Sequence, residues 1–241
     1  MIATLRSMLP APSHPPLNAH PRNGAGRAQL RAGNAVGRAL AGLVLAAAVA
    51  ASGQAGAQAR IYALDPVHTR VMFAVDHAGF SRAIGTVSGT TGTLRLDPGD
   101  WSSAKVEAWV PLAQLELGDA EWNQAALATG LLDAGRHPHA VFVSGRVEAG
   151  DGGRLRIHGQ LTLRGVTRPV VLDAVMNDVR RHPLPPFRRT AGFSAVAMLS
   201  RADFGISAWP GVIGDVVELR LEVEAVAAPD ARFSEGLDPP D

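Results

Sequence analysis

The sequence predicts an all-β protein, an antiparallel barrel of about eight strands with one short helical excursion. Three observations predict it. From Ile61 onward the dominant signal is runs in which apolar residues recur at every second position, the period of half-buried strands. Turns rich in Gly, Asp and Pro separate the alternating runs. One segment, Asp119 to Asp133, breaks that rhythm.

The first quarter of the 241-residue chain does not read as a domain. Residues 1–59 contain no Asp, Glu, Phe, Tyr or Trp, so they offer neither aromatic core material nor charge pairs. Arg27, Arg31 and Arg38 precede an apolar run from Ala39 to Ala51, and Ala57-Gln58-Ala59 supplies a small-x-small site. This is the layout of a secretory signal peptide, with cleavage expected after Ala59 and a periplasmic location for the product. The apolar run is shorter than the roughly 20 residues that span a bilayer core, with an uncleaved anchor as the alternative, and the Pro-rich stretch from Pro10 to Pro21 leaves a later translation start open. No Arg-Arg pair precedes it, which points to the general secretory route.

Removing 59 of 241 residues leaves 182, enough for one well-buried core. The leader carries five Arg and no acid, so its removal takes the formal charge from +1 to −4. A mildly acidic chain is poorly suited to a nucleic-acid backbone. The absence of Cys excludes disulfides, thiolate metal sites and thiol catalysis.

Along the remaining chain the first alternating run is Val71, Phe73 and Val75. A weaker strand near 86–96 follows, and Gly85, Gly89 and Gly92 mark a bulge or bend there. Val106, Ala108 and Val110 form the next. The excursion carries Trp122, Ala125, Ala126, Leu127, Leu131 and Leu132, with Asp119 as N-cap and Gly130 as stop, and is read as a short helix over the barrel or across one mouth. A weaker strand near 140–147 precedes Leu155, Ile157, Leu161 and Leu163, then another near 169–178. Arg180 to Arg189 reads as a basic, Pro-rich solvated loop, with attraction to an anionic head group or lipid surface as its functional reading. Phe193, Ala195, Ala197 and Leu199 follow, and the clearest run closes the series: Val217, Leu219, Leu221, Val223 and Ala225. About eight strands can close around one small ligand and leave no exposed edge. The expected domain spans 60–228, with a disordered tail over 229–241.

Five ordered blocks carry a family resemblance. They are Tyr62-Ala63-Leu64-Asp65-Pro66-Val67-His68-Thr69; Val75-Asp76-His77-Ala78-Gly79; Leu132-Asp133-Ala134-Gly135-Arg136-His137-Pro138 with Phe142-Val143-Ser144; Gly159 to Val170; and Ser200-Arg201-Ala202-Asp203-Phe204-Gly205-Ile206. Over roughly residues 61–226 the chain resembles the YceI family. The resemblance implies a lipocalin-like eight-stranded barrel, export, and an interior that binds polyisoprenoids or other long-chain amphiphiles. Where many members of that family carry an Arg-Asp-x-His-Leu run, this chain has Asn123-Gln124-Ala125-Ala126-Leu127. That departure implies a different treatment of the ligand head group.

The expected function is therefore an exported protein holding a long-chain apolar lipid, a polyisoprenoid, isoprenoid quinone or fatty-acid derivative, and it is not an enzyme. Each buried CH₂ of such a chain is worth roughly 0.8 kcal/mol. Candidate lining residues are Phe73, Val75, Val106, Ala108, Phe142, Leu161, Phe193, Ala195 and Phe204, with Leu127 and Leu131 at the helical cover. Packing among themselves is the competing role for each. Expected partners are an amphiphilic lipid and no nucleic acid; a membrane-associated redox partner and a homodimer stay open. No metal or other cofactor is expected. His137 and His139 share a strand face only if Pro138 allows it, and His68 and His77 are read as hydrogen-bonding residues at strand ends. Asp133 and Asp203 are read as turn braces with Arg201 as a partner for one of them. No Gly-x-Ser-x-Gly elbow, Walker loop or dinucleotide fingerprint is present. A small-molecule enzyme with a His-lined pocket, or an accessory module for a membrane redox or stress-response system, are the alternatives.

Overall fold

A computed structural model describes residues 59–233. The expected leader, Ala59 apart, and residues 234–241 of the expected tail lie outside the described residues. Of the rest of that tail, Arg232 places its carbonyl 3.1 Å from the Thr93 hydroxyl, which donates to it.

The described residues form eleven strand segments and one α-helix, besides single 3₁₀ turns. The strands are β1 (Arg60–Leu64), β2 (Arg70–His77), β3 (Ser81–Val87), β4 (Thr91–Leu96), β5 (Lys105–Pro111), β6 (Leu115–Glu116), β7 (His139–Ala149), β8 (Arg154–Leu163), β9 (Val166–Arg181), β10 (Arg189–Ser200) and β11 (Ile213–Ala227). The helix α1 spans Ala120–Leu127 between β6 and β7.

The registers reduce eleven segments to eight staves. β1 pairs with the last residues of β11, Tyr62 opposite Ala227, while β2 pairs with its middle, Phe73 opposite Leu219. β1 and β2 are thus one stave broken by residues 65–69. In the same way β4 lies against β1 and β3 against β2, and β5 and β6 lie against β4 and β3. From β7 to β11 each strand pairs with the next, and the return of β11 onto β1 and β2 closes an antiparallel eight-stranded barrel. The expected fold class is the observed one.

Sequence explains the breaks. Gly89, at φ +75, bends the chain between β3 and β4, as the glycine-rich stretch predicts. Asp119 caps α1 by accepting from the N–H groups of Glu121 and Trp122 at 3.0 Å each, satisfying donors that the first turn leaves unpaired. The helix stops at Leu127, short of Gly130. There the Leu132 N–H returns to the Ala126 carbonyl at 3.0 Å, and Leu131 and Leu132 turn toward the interior.

The two ends of the barrel differ. At one end residues 97–104, 150–153 and 182–188 join strands over a packed cluster containing Tyr62, Leu64, Leu96, Leu155, Ala191 and Ala225. At the other end two short turns, 78–80 and 164–165, alternate with two long connections, 117–138 and 201–212, the first of which carries α1. The basic loop after β9 sits at the packed end.

Candidate functional site

The barrel interior is not filled. A cavity of about 530 Å³ runs inside it, within the range of ligand-binding pockets. The inward side chains of β11, Val217, Leu219, Leu221 and Val223, line it, and each is only half-buried because it faces that space.

Ten of the eleven candidate residues line the cavity: Phe73, Val75, Val106, Ala108, Leu131, Phe142, Leu161, Phe193, Ala195 and Phe204. Leu127 does not. It packs beneath α1 against the cluster of Val71, Val87 and Leu115, because its place on the last turn aims it at the β3 and β6 edge of the wall. The β11 residues and Leu172 were as legible from alternation as those chosen. Trp122, Trp209 and Val212 also line the space, from α1 and the connection between β10 and β11, where no periodicity announces them.

Two glycines keep the lumen open. Gly85 stands opposite Phe73 in the β2–β3 pair, and a Cβ at Gly85 would lie 2.3 Å from the ring. Gly159 in β8 pairs with Ser144 and lies diagonal to Phe142, and a Cβ there would come 2.4 Å from the Phe142 ring. In both cases the tip of the ring occupies the space that a side chain on the neighbouring strand would take. For Gly85, close approach explains the residue better than the expected bend.

Arginines hold the open end together. Arg201 is only 7% exposed, and its guanidinium donates to four backbone carbonyls: Gly214 through Nε (3.0 Å), Ile206 and Ala208 through Nη1 (2.9 and 2.8 Å), and Ile213 through Nη2 (2.8 Å). The expectation that Arg201 pairs with Asp133 or Asp203 is corrected, since its planar fork of donors is matched by carbonyls of the β10–β11 connection and of the first residues of β11. The nearest paired base to Asp133 is Arg136, at 3.8 Å. Arg164 donates to the Gly205 and Thr129 carbonyls at 2.7 and 2.9 Å, tying the β8–β9 turn to both long connections. Asp215, beside this loop, is held below its ordinary pKa by the Ser200 hydroxyl, the Ala202 N–H and the Arg201 charge.

Polar groups are sparse in the lining: Thr69, Thr90, Asp76, His77 and Arg201. His77 is the one histidine among the lining residues, and its ring lies 5.3 Å from that of Trp122. His137 packs over Gly165, where a Cβ would come within 2.7 Å of its ring. Away from the cavity, His68 Nδ1 lies 2.8 Å from Asp65 Oδ2, and this hydrogen bond raises the His68 pKa. Burial raises that of Asp65, but hydrogen bonds from the His68 ring and the N–H groups of Val67 and His68 outweigh it and leave the carboxyl lowered. Asp65, His68 and Glu224 place ligand-type atoms within 4.8 Å of one another. Asp65 is already engaged in bracing the 65–69 turn, so the trio reads as a turn brace.

A meandering eight-stranded barrel with an apolar lumen and a helical cover is the geometry the resemblance implied. A family model described as the YceI-like domain matches residues 62–225. The chain belongs to that family. Among curated relatives, a UPF0312 protein of Pseudomonas savastanoi pv. phaseolicola is 31% identical over 189 residues, 78% of this chain and 97% of the relative. One of Ectopseudomonas mendocina is 33% identical over 190 residues, with the same shares. Among solved structures, Burkholderia cenocepacia BcnA superposes with a TM-score of 0.60 at 18% identity, covering 67% of this chain and 98% of its own. A polyisoprenoid-binding domain from Saccharophagus degradans gives 0.52 at 12% identity, covering 69% and 98%. These two likenesses concern the fold. In this YceI-like barrel the lining is almost wholly apolar, and three of its five polar residues, Asp76, His77 and Arg201, lie at the open end. It contains no serine, cysteine or lysine nucleophile.

Proposed function

We propose that this protein is a lipid holder: one long-chain apolar lipid, a polyisoprenoid, isoprenoid quinone or fatty-acyl derivative, lies in the barrel with its polar end toward the open connections. The observation that carries this reading is an unfilled cavity of about 530 Å³ walled by Phe, Leu, Val and Ala. A polyisoprenoid-binding domain among the structural neighbours supports it.

Burial of ten methylene-equivalents would supply about 8 kcal/mol at roughly 0.8 kcal/mol each. Association and ordering costs of at least about 4 kcal/mol come off that figure, so chain length decides affinity. Binding alone needs no reacting group, and none is assigned.

Native mass spectrometry of the purified protein, followed by lipid extraction, tests the reading. The expected result is a co-purifying long-chain lipid, or stoichiometric uptake of one from detergent. Protein that is reproducibly empty and refuses such lipids overturns it. Export completes the proposal: residues 1–59 act as the leader, and the periplasmic fraction should contain a protein that begins at Arg60.

A further inference from the structure

The open end of the barrel carries large apolar side chains that no other described residue covers. Phe80, at the tip of the β2–β3 turn, is 92% exposed; Trp209 is 64% exposed and Trp122 46%. Val212 is exposed beside them. They come from three separate connections that meet around one opening. The Ala78 N–H donates to the Val212 carbonyl, joining the Phe80 turn to the Trp209 loop, and His77 carries the contact on to Trp122.

These residues are continuous with the lumen. Trp122, Trp209 and Val212 both line the cavity and reach the outer surface, while Phe80 stands just outside. At the opposite end the way is blocked by Tyr62, Leu96, Ala191 and Ala225, each at most 1% exposed. An apolar chain can therefore enter or leave only past the aromatic collar.

We propose that this collar is a membrane-docking surface: the barrel sets Phe80, Trp209 and Trp122 into the interfacial zone of a lipid bilayer, mouth first, so that lipid passes between bilayer and lumen without crossing water. This rests on the lipid-holder reading and adds to it the partner from which the lipid is taken. Trp and Phe suit that depth because an apolar ring there is met by acyl chains while the indole N–H keeps a polar partner. Two features make the collar a preformed surface. The four carbonyl bonds of Arg201 and the two of Arg164 fix the connections that bear it.

Charge gives the proposal its direction. Around the mouth Arg82, Arg136, Arg164 and Arg201 stand against Asp76, Asp119, Glu121, Asp133, Asp203 and Asp215, so this end has no basic excess with which to attract anionic lipid and docking there is apolar. The basic loop with Arg180, Arg181, Arg188 and Arg189, and with Leu184 and Phe187 exposed, lies at the blocked end. It offers the competing mode, salt-dependent attraction to an anionic surface.

The test compares wild type, Phe80→Ser, Phe80→Leu and Phe187→Ser. The readouts are flotation with phosphatidylcholine vesicles, flotation with phosphatidylcholine–phosphatidylglycerol vesicles, and the rate of uptake of a fluorescent long-chain lipid from each. Phe80 does not line the cavity, so uptake of the same lipid from detergent micelles serves as the control for occupancy. The expected result is a roughly tenfold loss of vesicle association and uptake rate in Phe80→Ser, the change that withdrawing one aromatic side chain from an apolar phase produces. Phe80→Leu retains most of both, Phe187→Ser matches wild type, and uptake from micelles is equal in all four. A Phe80→Ser protein that docks like wild type, or docking that requires the anionic lipid and is lost in Phe187→Ser, overturns the proposal while leaving the lipid holder standing. Failure of wild type to take lipid even from micelles sinks the holder reading instead.

Discussion

The two ends of this barrel are built on opposite rules. At the closed end side chains from six strands join in one buried cluster that floors the cavity, with Leu96, Ala191 and Ala225 fully buried. At the mouth long connections are held by guanidinium-to-carbonyl bonds, and the large apolar side chains face outward. Dispersion and water exclusion stabilise the first region and scale with packing density. The second depends on directional bonds that fix loops while leaving a hole among them. The comparison teaches that a ligand-sized void can be tolerated in a small domain when packing is concentrated at one end and hydrogen bonding frames the other.

Breaking the closed end should have the largest effect. Leu96→Ala removes a fully buried side chain where neighbours cannot collapse, and should cost about 2–5 kcal/mol in urea unfolding. A surface change at the mouth such as Phe80→Ser should stay within about 0.5 kcal/mol by the same measurement. If the two cost the same, the division of labour between the ends is wrong.

Arg201→Met sharpens the comparison from the other side. It keeps the apolar stem and strips the donors from the carbonyls of Gly214, Ile206, Ala208 and Ile213. A loss of about 1–3 kcal/mol is expected for the buried acceptors left unpaired. Limited proteolysis should then cut between residues 205 and 213, whereas in Leu96→Ala it should follow global unfolding.

Gly85→Ala addresses the lumen between the ends. The added methyl meets the far edge of the Phe73 ring, which can yield only toward the cavity. Stability should fall by about 1–3 kcal/mol, the cost of overpacking, and the longest lipids should lose more affinity than short ones. Adding Phe73→Leu should restore both, measured by lipid titration across a chain-length series.

The wall of this molecule was legible in its sequence because strand alternation is local: which of two faces a residue takes is decided by its parity. That logic selected Phe73, Phe142 and Phe193 correctly as inward residues and would have selected Leu219 and Leu221 too. It could not say that three early staves are broken in two, because each break depends on pairings with strands distant in sequence. Nor could it say that the lumen is open. That outcome turns on Gly85 lying opposite Phe73 and Gly159 diagonal to Phe142, a relation of register between strands. The mouth was least legible. Trp209 sits in a loop with no period, and Arg201 looked like a salt-bridge partner because carbonyl acceptors leave no trace in side-chain identity. Leu127 lies on the helical cover as expected, but its contact with Val71, Val87 and Leu115 depends on how α1 is seated on the wall, which local sequence does not encode.

The smallest expected effect lies in the turn between β1 and β2, and it tests whether this break in the wall is more than a passive kink. The hydrogen bond to Asp65 raises the His68 pKa, so its contribution is fully present below the unfolded value of about 6.5 and is lost as pH rises through the higher folded value. Asp65 is lowered on balance, so its contribution is present above about pH 3.9 and is lost on acidification through the lower folded value. The brace is therefore strongest between those limits. Because His68 is exposed, solvent screens most of the gain. Wild type should lose about a degree or less of Tm between pH 6 and pH 9 relative to His68→Gln, whose turn has no imidazolium to lose. Parallel Tm curves for the two proteins over that range would show that the Asp65–His68 contact adds no stability of its own, and that the stave is held across its gap by the pairing of β1 and β2 with β11 alone.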